Sequence, residues 1–95
     1  MRKAKYNISI KVNGKPSVKE IEGYIIKKDG LVFGVDHRWS KGWVITELSS
    51  GYQAGFTIPR LKDFWTEMTT ERCQLIQGLV KNLPETKIVN LVDRF

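Results

Sequence analysis

The sequence predicts an α+β domain: an antiparallel, curled sheet of about five strands in meander order, then an amphipathic helix and a short C-terminal strand. Apolar and polar side chains alternate through much of residues 6–58, which is the period of half-buried strands. Asn-Gly at 13–14 and Asp-Gly at 29–30 favour tight hairpin turns. After Pro59 the apolar period becomes that of a helix.

The first strand is predicted over residues 6–12, and residues 1–5 are expected to be a flexible basic tail of a single domain spanning 1–95. The apolar side chains of this strand share one face: Tyr6, Ile8, Ile10 and Val12. After the turn at 13–14, Pro16 keeps the next residues in a loop or at a sheet edge.

The second strand, residues 20–28, is predicted to form a hairpin with the third. A two-residue turn at 29–30 pairs residues symmetrically about it: Lys28 with Leu31, Ile26 with Phe33, and Tyr24 with Val35. The apolar partners then share one face, as cross-strand packing requires. The fourth and fifth strands are predicted over 42–48 and 52–58.

The helical segment is predicted over about 60–83 and ends at Pro84. One helix would keep a single apolar stripe, whereas a second helix capped by the threonines at 69–70 would break it, and the sequence favours a break or kink there. The β-branched residues at 87–92 predict a last strand on a sheet edge.

Charge and composition exclude several classes of protein. The net charge is +6, and residues 1–30 carry eight Lys or Arg against three acids, a net +5. Such a field attracts phosphate backbones or an acidic protein surface. The single cysteine, Cys73, excludes a disulfide framework and is expected to be inert. No leader or membrane-spanning run is evident, so a cytoplasmic protein without membrane contact is expected.

The most informative segment is residues 37–43, which joins two tryptophans, two cations and the only histidine at a predicted turn. Trp39, between Arg38 and Ser40, is the better candidate for exposure, whereas Trp43 lies in a strand and favours the core. Exposed indoles can stack on bases or fill a partner's pocket, and Arg38 and Lys41 would neutralise charge.

A second candidate surface is the basic set on the first two strands, which consists of Lys11, Lys15, Lys27 and Lys28. Outward-facing lysines would form a stripe on one sheet face. Such a stripe binds single-stranded nucleic acid when aromatic side chains lie among the lysines. Alternatively, they form a solvated edge that discourages sheet-to-sheet pairing.

Catalysis and metal binding are not predicted. His37 beside Asp36 has no second histidine to complete a metal site, and no glycine-rich phosphate loop is present. No cofactor is therefore expected.

One resemblance adds to this picture. Trp43-Val44-Ile45-Thr46 followed by Ser50-Gly51, within residues 34–56, resembles small uncharacterised proteins of bacterial phages and mobile elements. The likeness covers about a quarter of the chain. It implies a phage or mobile-element origin and gives no indication of an activity.

The sequence therefore predicts a non-enzymatic binding protein that contacts nucleic acid through a basic sheet face and an aromatic turn, with little sequence preference. The alternative is an accessory or inhibitor protein that binds another protein through the same turn. Edge strands and the apolar helix stripe are also compatible with a homodimer.

Overall fold

A computed structural model describes residues 1–95 as one open antiparallel sheet followed by short helices. The strands are β1 (Arg2–Val12), β2 (Lys15–Lys28), β3 (Leu31–Arg38), β4 (Gly42–Glu47) and β5 (Tyr52–Ile58). They pair in chain order, β1-β2-β3-β4-β5, so the predicted five-strand meander is confirmed. A 3-10 turn (Leu61–Asp63), α1 (Phe64–Glu67) and α2 (Thr70–Val80) follow the sheet.

The predicted hairpin chemistry is present at both tight turns. Asn13 and Asp29 have φ of 51°, and the glycines after them have φ of 77° and 78°. Positive φ at both central residues is the mark of a turn whose twist matches its strands. The β2–β3 register is the predicted one, with Tyr24 opposite Val35, Ile26 opposite Phe33 and Lys28 opposite Leu31.

The first hairpin is longer than the sequence suggests. β1 begins at Arg2, opposite Ile25, so residues 2–5 belong to the sheet instead of forming a tail. β2 begins at Lys15, and its pairing with β3 extends only from Tyr24 to Lys28. Pro16 therefore lies where β2 has a partner on one side alone, which suits a residue without an N–H.

One surface of the sheet, here called the helix face, is covered by the helices. Its core residues from the strands are Ile26, Leu31, Phe33, Val35, Ile45 and Ile58, and those from the helices are Phe64, Met68, Cys73 and Ile76. The Phe33 and Phe64 rings meet edge-on at 5.4 Å. Full burial of each such side chain contributes about 1.5–3 kcal/mol, so this cluster is the main source of stability.

The helical segment is interrupted between α1 and α2. Met68 leaves helical geometry at φ −83° and ψ 79°. The Thr69 side chain then caps α2 by accepting a hydrogen bond from the Arg72 backbone N–H at 3.2 Å. The Lys28 ammonium donates to the Met68 carbonyl, which ties the break to the end of β2.

The opposite surface, here called the tail face, is covered by the last residues of the chain. Tyr6, Ile8, Ile25 and Leu48 pack there with Phe95. The predicted strand over 87–92 does not form: 3-10 turns at Glu85–Lys87 and Val92–Arg94 flank an irregular stretch.

A buried side chain takes the place of the missing strand. Asn90 Oδ1 accepts from the Asn7 N–H at 2.8 Å, while its Nδ2 donates to the Asn7 and Leu48 carbonyls at 2.8 and 2.7 Å. One amide group thus satisfies the outer edge of β1 at this point and ties β1 to the end of β4.

Candidate functional site

The β3–β4 connection presents the most exposed large apolar side chain of the molecule. Trp39 is 97% exposed, and no other ring packs on it. The turn is closed by a hydrogen bond from the Lys41 N–H to the Arg38 carbonyl at 3.0 Å and by Gly42 at φ 85°. We refer to residues 38–42 as the Trp39 turn. The hydrogen bond fixes the backbone of the turn, while the Trp39 indole is exposed to solvent.

A row of rings continues from this turn along the helix face. His37 and Trp43 are directly opposite each other, with ring centres 5.1 Å apart, and Tyr24 lies 6.1 Å from Trp43. We call Tyr24, His37 and Trp43 the ring row. His37 is exposed and the other two are half-buried, because the helices pack mainly around Phe33 at the opposite end of this face.

Cations border the ring row on the β1 side. Lys3 is opposite Tyr24, and its ammonium lies 5.5 Å from the centre of that ring. Lys5 is on the same face, opposite Glu22. Lys41, in the Trp39 turn, is also exposed, but it lines a surface groove with Val44 and Thr57, which lie on the face opposite to the ring row. Positive charge therefore borders the ring row on the β1 side.

Arg38 has a different environment from the one predicted. Its side chain lies on the tail-face side of β3, where its Nε donates to the Asp36 carboxylate at 2.9 Å. The charge of Arg38 is thus largely committed to Asp36, and we assign the residue to holding the turn. Because successive strand side chains alternate, His37 points to the face opposite from Asp36 and the two do not form a pair.

Asp36 also joins the Trp39 turn to the tail-face core. The Tyr6 hydroxyl donates to its carboxylate at 3.3 Å. Burial, with a smaller contribution from the Asp36 charge, raises the pKa of Tyr6 well above its usual value. The hydroxyl therefore remains a proton donor, and Asp36 accepts from both Tyr6 and Arg38.

The four lysines predicted on the first two strands do not form one stripe. Directly opposed residues share a face, so Lys11 lies on the helix face with Pro16, while Lys15 and Lys27 lie on the tail face with Val12 and Val32. The Lys28 ammonium donates a hydrogen bond to the Met68 carbonyl.

The hairpin tip is also remote from the rings. Eight residues separate Lys11 from Lys3 along β1, about 27 Å of strand. Of the predicted site residues, those of the turn and β4 stay near one another but do not share one surface: Trp43 lies on the helix face and Arg38 on the tail face, with Trp39 and Lys41 exposed in the turn between them.

The predicted contact residues did not include three members of this surface, Lys3, Tyr24 and His37, although His37 lies in the segment 37–43 that the sequence singled out. The predicted pairing of Tyr24 with Val35 contained the necessary signal. It places Tyr24 and His37 on one face, two positions apart along the ladder. Lys3 was assigned to the tail because no alternation of apolar residues begins before Tyr6.

Nowhere do three or more His, Cys, Asp or Glu side chains converge as they would around a metal ion. No helix combines the length and the apolar character needed to cross a bilayer. No protein-family model, no curated protein and no solved structure matches this chain. The resemblance to phage and mobile-element proteins therefore stays a prediction.

Proposed function

We propose that this protein is a non-catalytic nucleic-acid-binding module. It contacts single-stranded or backbone-exposed segments through the ring row and the Trp39 turn, with little sequence preference. The observation that carries the proposal is the nearly full exposure of the Trp39 indole at the end of a row of three further rings bordered by lysines.

The rings supply the short-range attraction. Stacking of a base on an aromatic side chain contributes about 1–3 kcal/mol and tolerates any base, because every base has an aromatic face. An indole in water and a half-exposed sheet surface offer two places for such contact. This arrangement favours a single strand, whose bases are free to leave their own stack.

The cations supply the long-range attraction. Lys3 and Lys5 lie beside the ring row, Lys41 lies in the Trp39 turn, and none of the three has a salt bridge within the chain. α2 contains one cation, Arg72, and this is held by Glu67 at 3.6 Å. A groove-reading helix needs a basic or amide-rich exposed surface, so strong base-edge readout is not expected from α2.

Fluorescently labelled single-stranded DNA, single-stranded RNA and duplex DNA should be titrated at about 50 and 200 mM salt. Neutralisation of about three phosphates predicts a loss of roughly 20-fold in single-strand affinity across this range. Trp39→Ala is expected to weaken binding by roughly 5- to 150-fold, the equivalent of one stacked base.

Trp65→Ala is the matched control, because Trp65 is 53% exposed on α1, outside the ring row. It should leave the affinity within about twofold of the parent. Absence of binding by all three nucleic acids at 50 mM salt contradicts the proposal. The alternative is then a protein partner with an acidic surface, bound through the same turn.

A further inference from the structure

The two edges of the sheet differ in how they are protected. At β1 the Asn90 side chain occupies the outer backbone groups of Asn7, and the strand carries several cations. β5 has no such cover: beyond its ladder with β4, it makes one hydrogen bond, from the Tyr52 N–H to the Ser50 hydroxyl at 3.0 Å. Its sequence, YQAGFTI, contains no charge, although edge strands usually carry lysine or another charge against self-pairing.

An apolar surface continues from this edge onto α2. Leu75 and Leu79 are 72% and 63% exposed, and they line a shallow groove of about 310 Å³ together with Tyr52 and Phe56. The Arg72 guanidinium covers the Phe56 ring at 4.1 Å and leaves the leucines free. An open backbone edge and two exposed leucines therefore lie side by side.

We infer that this surface binds a second copy of the chain, with β5 pairing antiparallel to β5 of the other protomer. A two-fold axis through the middle of the strand, at Gly55, satisfies both features at once. It pairs the outer N–H and C=O groups at the two ends of each β5, on either side of the Gly55 bulge, with those of the other protomer. It also brings the two α2 helices side by side on one face of a ten-stranded sheet, where the leucines of each cover those of the other.

Charge favours the second copy as occupant. Glu47 is the only charged residue between 42 and 59, and its buried carboxylate is bonded by Ser49 and Ser50. β5 itself is therefore neutral; the cations beside it are Lys41, which lines a groove with Gln53 and Thr57, and Arg72, which covers the Phe56 ring and is paired with Glu67.

The area indicates a weak dimer. A seven-residue strand is about 23 Å long, and with the neighbouring helix it offers about 500 Å² on each protomer. The total of about 1,000 Å² is near the lower limit for a specific interface. Gly55, at φ 82°, also bulges the strand and shortens its regular pairing. Association is therefore expected in the micromolar range or above.

Sedimentation of the full chain at about 5–500 µM tests the inference. The weight-average mass should approach twice that of the monomer at the upper end. Leu75→Lys with Leu79→Lys places four cations around the axis and should keep the protein monomeric. Leu91→Lys with Ile88→Lys adds the same charge at positions 71% and 38% exposed, and it should associate like the parent.

Amide exchange gives a readout that needs no variant. Exchange at β5 should slow as the concentration rises, while exchange at β1 stays constant. A parent protein that remains monomeric at 500 µM overturns the inference, and so does equal association by the two double variants. Because no nucleic acid is present in these measurements, their outcome is independent of the proposed function.

Discussion

Tyr6 illustrates how one side chain joins neighbouring strands. Its ring lies flat against Gly23 of β2 and Gly34 of β3, where a Cβ atom at either glycine would overlap it. Its hydroxyl reaches Asp36, whose partner Arg38 begins the Trp39 turn. The sequence indicated a close approach at Gly34 because glycine is rare inside strands. It did not identify the approaching ring, since that depends on how far the sheet curls.

We expect Gly34→Ala to destabilise the protein by about 2–3 kcal/mol, because the new methyl group displaces a buried ring. Gly78→Ala is the matched control within α2, where an added Cβ meets nothing within 4 Å. It should stabilise the protein by up to about 1 kcal/mol through helix propensity. Urea unfolding measures both changes. Equal effects of the two substitutions would contradict the packing of Tyr6 on Gly34.

Tyr6 also makes the free energy of unfolding depend on pH in the alkaline range. Burial raises the pKa of Tyr6 above its ordinary value of 10.0 and the pKa of Cys73 above its ordinary value of 9.0. At lower pH both side chains are protonated in the folded and in the unfolded protein, so their full contribution to the free energy of unfolding is present. Above pH 9–10 the unfolded chain loses these protons first, and stability falls by at most about 1.4 kcal/mol per pH unit for each group.

Urea unfolding at pH 8, 9.5 and 11 tests this dependence. Tyr6→Phe should remove part of the slope, whereas Tyr52→Phe, at an exposed position, should retain it. A slope that is the same in all three proteins excludes Tyr6 as its source.

At the scale of elements, local chemistry predicted the central hairpin and failed at the C-terminus. The register of β2 and β3 follows from a two-residue turn and an alternating pattern, both of which lie within 14 consecutive residues. The β-branched stretch at 87–92 has strand propensity, but a strand also needs a free edge. Asn90 occupies the edge of β1, and Val92 and Phe95 turn inward onto the tail face. Contacts between residues that are far apart in the sequence therefore determine the structure of this segment.

Asn90→Ala should therefore destabilise the protein by about 2–4 kcal/mol, because it removes three hydrogen bonds and leaves the backbone groups of Asn7 and Leu48 without these partners. The Asn7 amide should also exchange faster. Asn82→Ala, at an exposed position after α2, should change stability by less than about 0.5 kcal/mol. Unchanged protection of the Asn7 amide in Asn90→Ala would show that the edge is satisfied in another way.

At the scale of the whole molecule, total charge was predictable and its distribution over the faces was not. Residues 1–30 carry +5 of the net charge of +6, as counted from the sequence. The sheet face on which each of these cations lies depends on its position in the strand register, because successive side chains point to opposite faces. Lys11 and Lys27 therefore lie on opposite surfaces. The tail of the chain then covers part of one surface. The cations that remain beside exposed rings are those at the start of β1 and in the Trp39 turn.

Two double variants of equal net charge separate a defined site from a diffuse field. Lys3→Gln with Lys5→Gln and Lys62→Gln with Lys81→Gln each lower the net charge from +6 to +4, and all four positions are exposed. The first pair borders the ring row, so it should reduce the salt slope of single-strand binding by about 1.4, the equivalent of two phosphate contacts. The second pair lies beyond the sheet, in the 3-10 turn before α1 and just after α2, and should leave the slope unchanged. If both pairs weaken binding equally, attraction follows net charge alone and the ring row is not the contact surface.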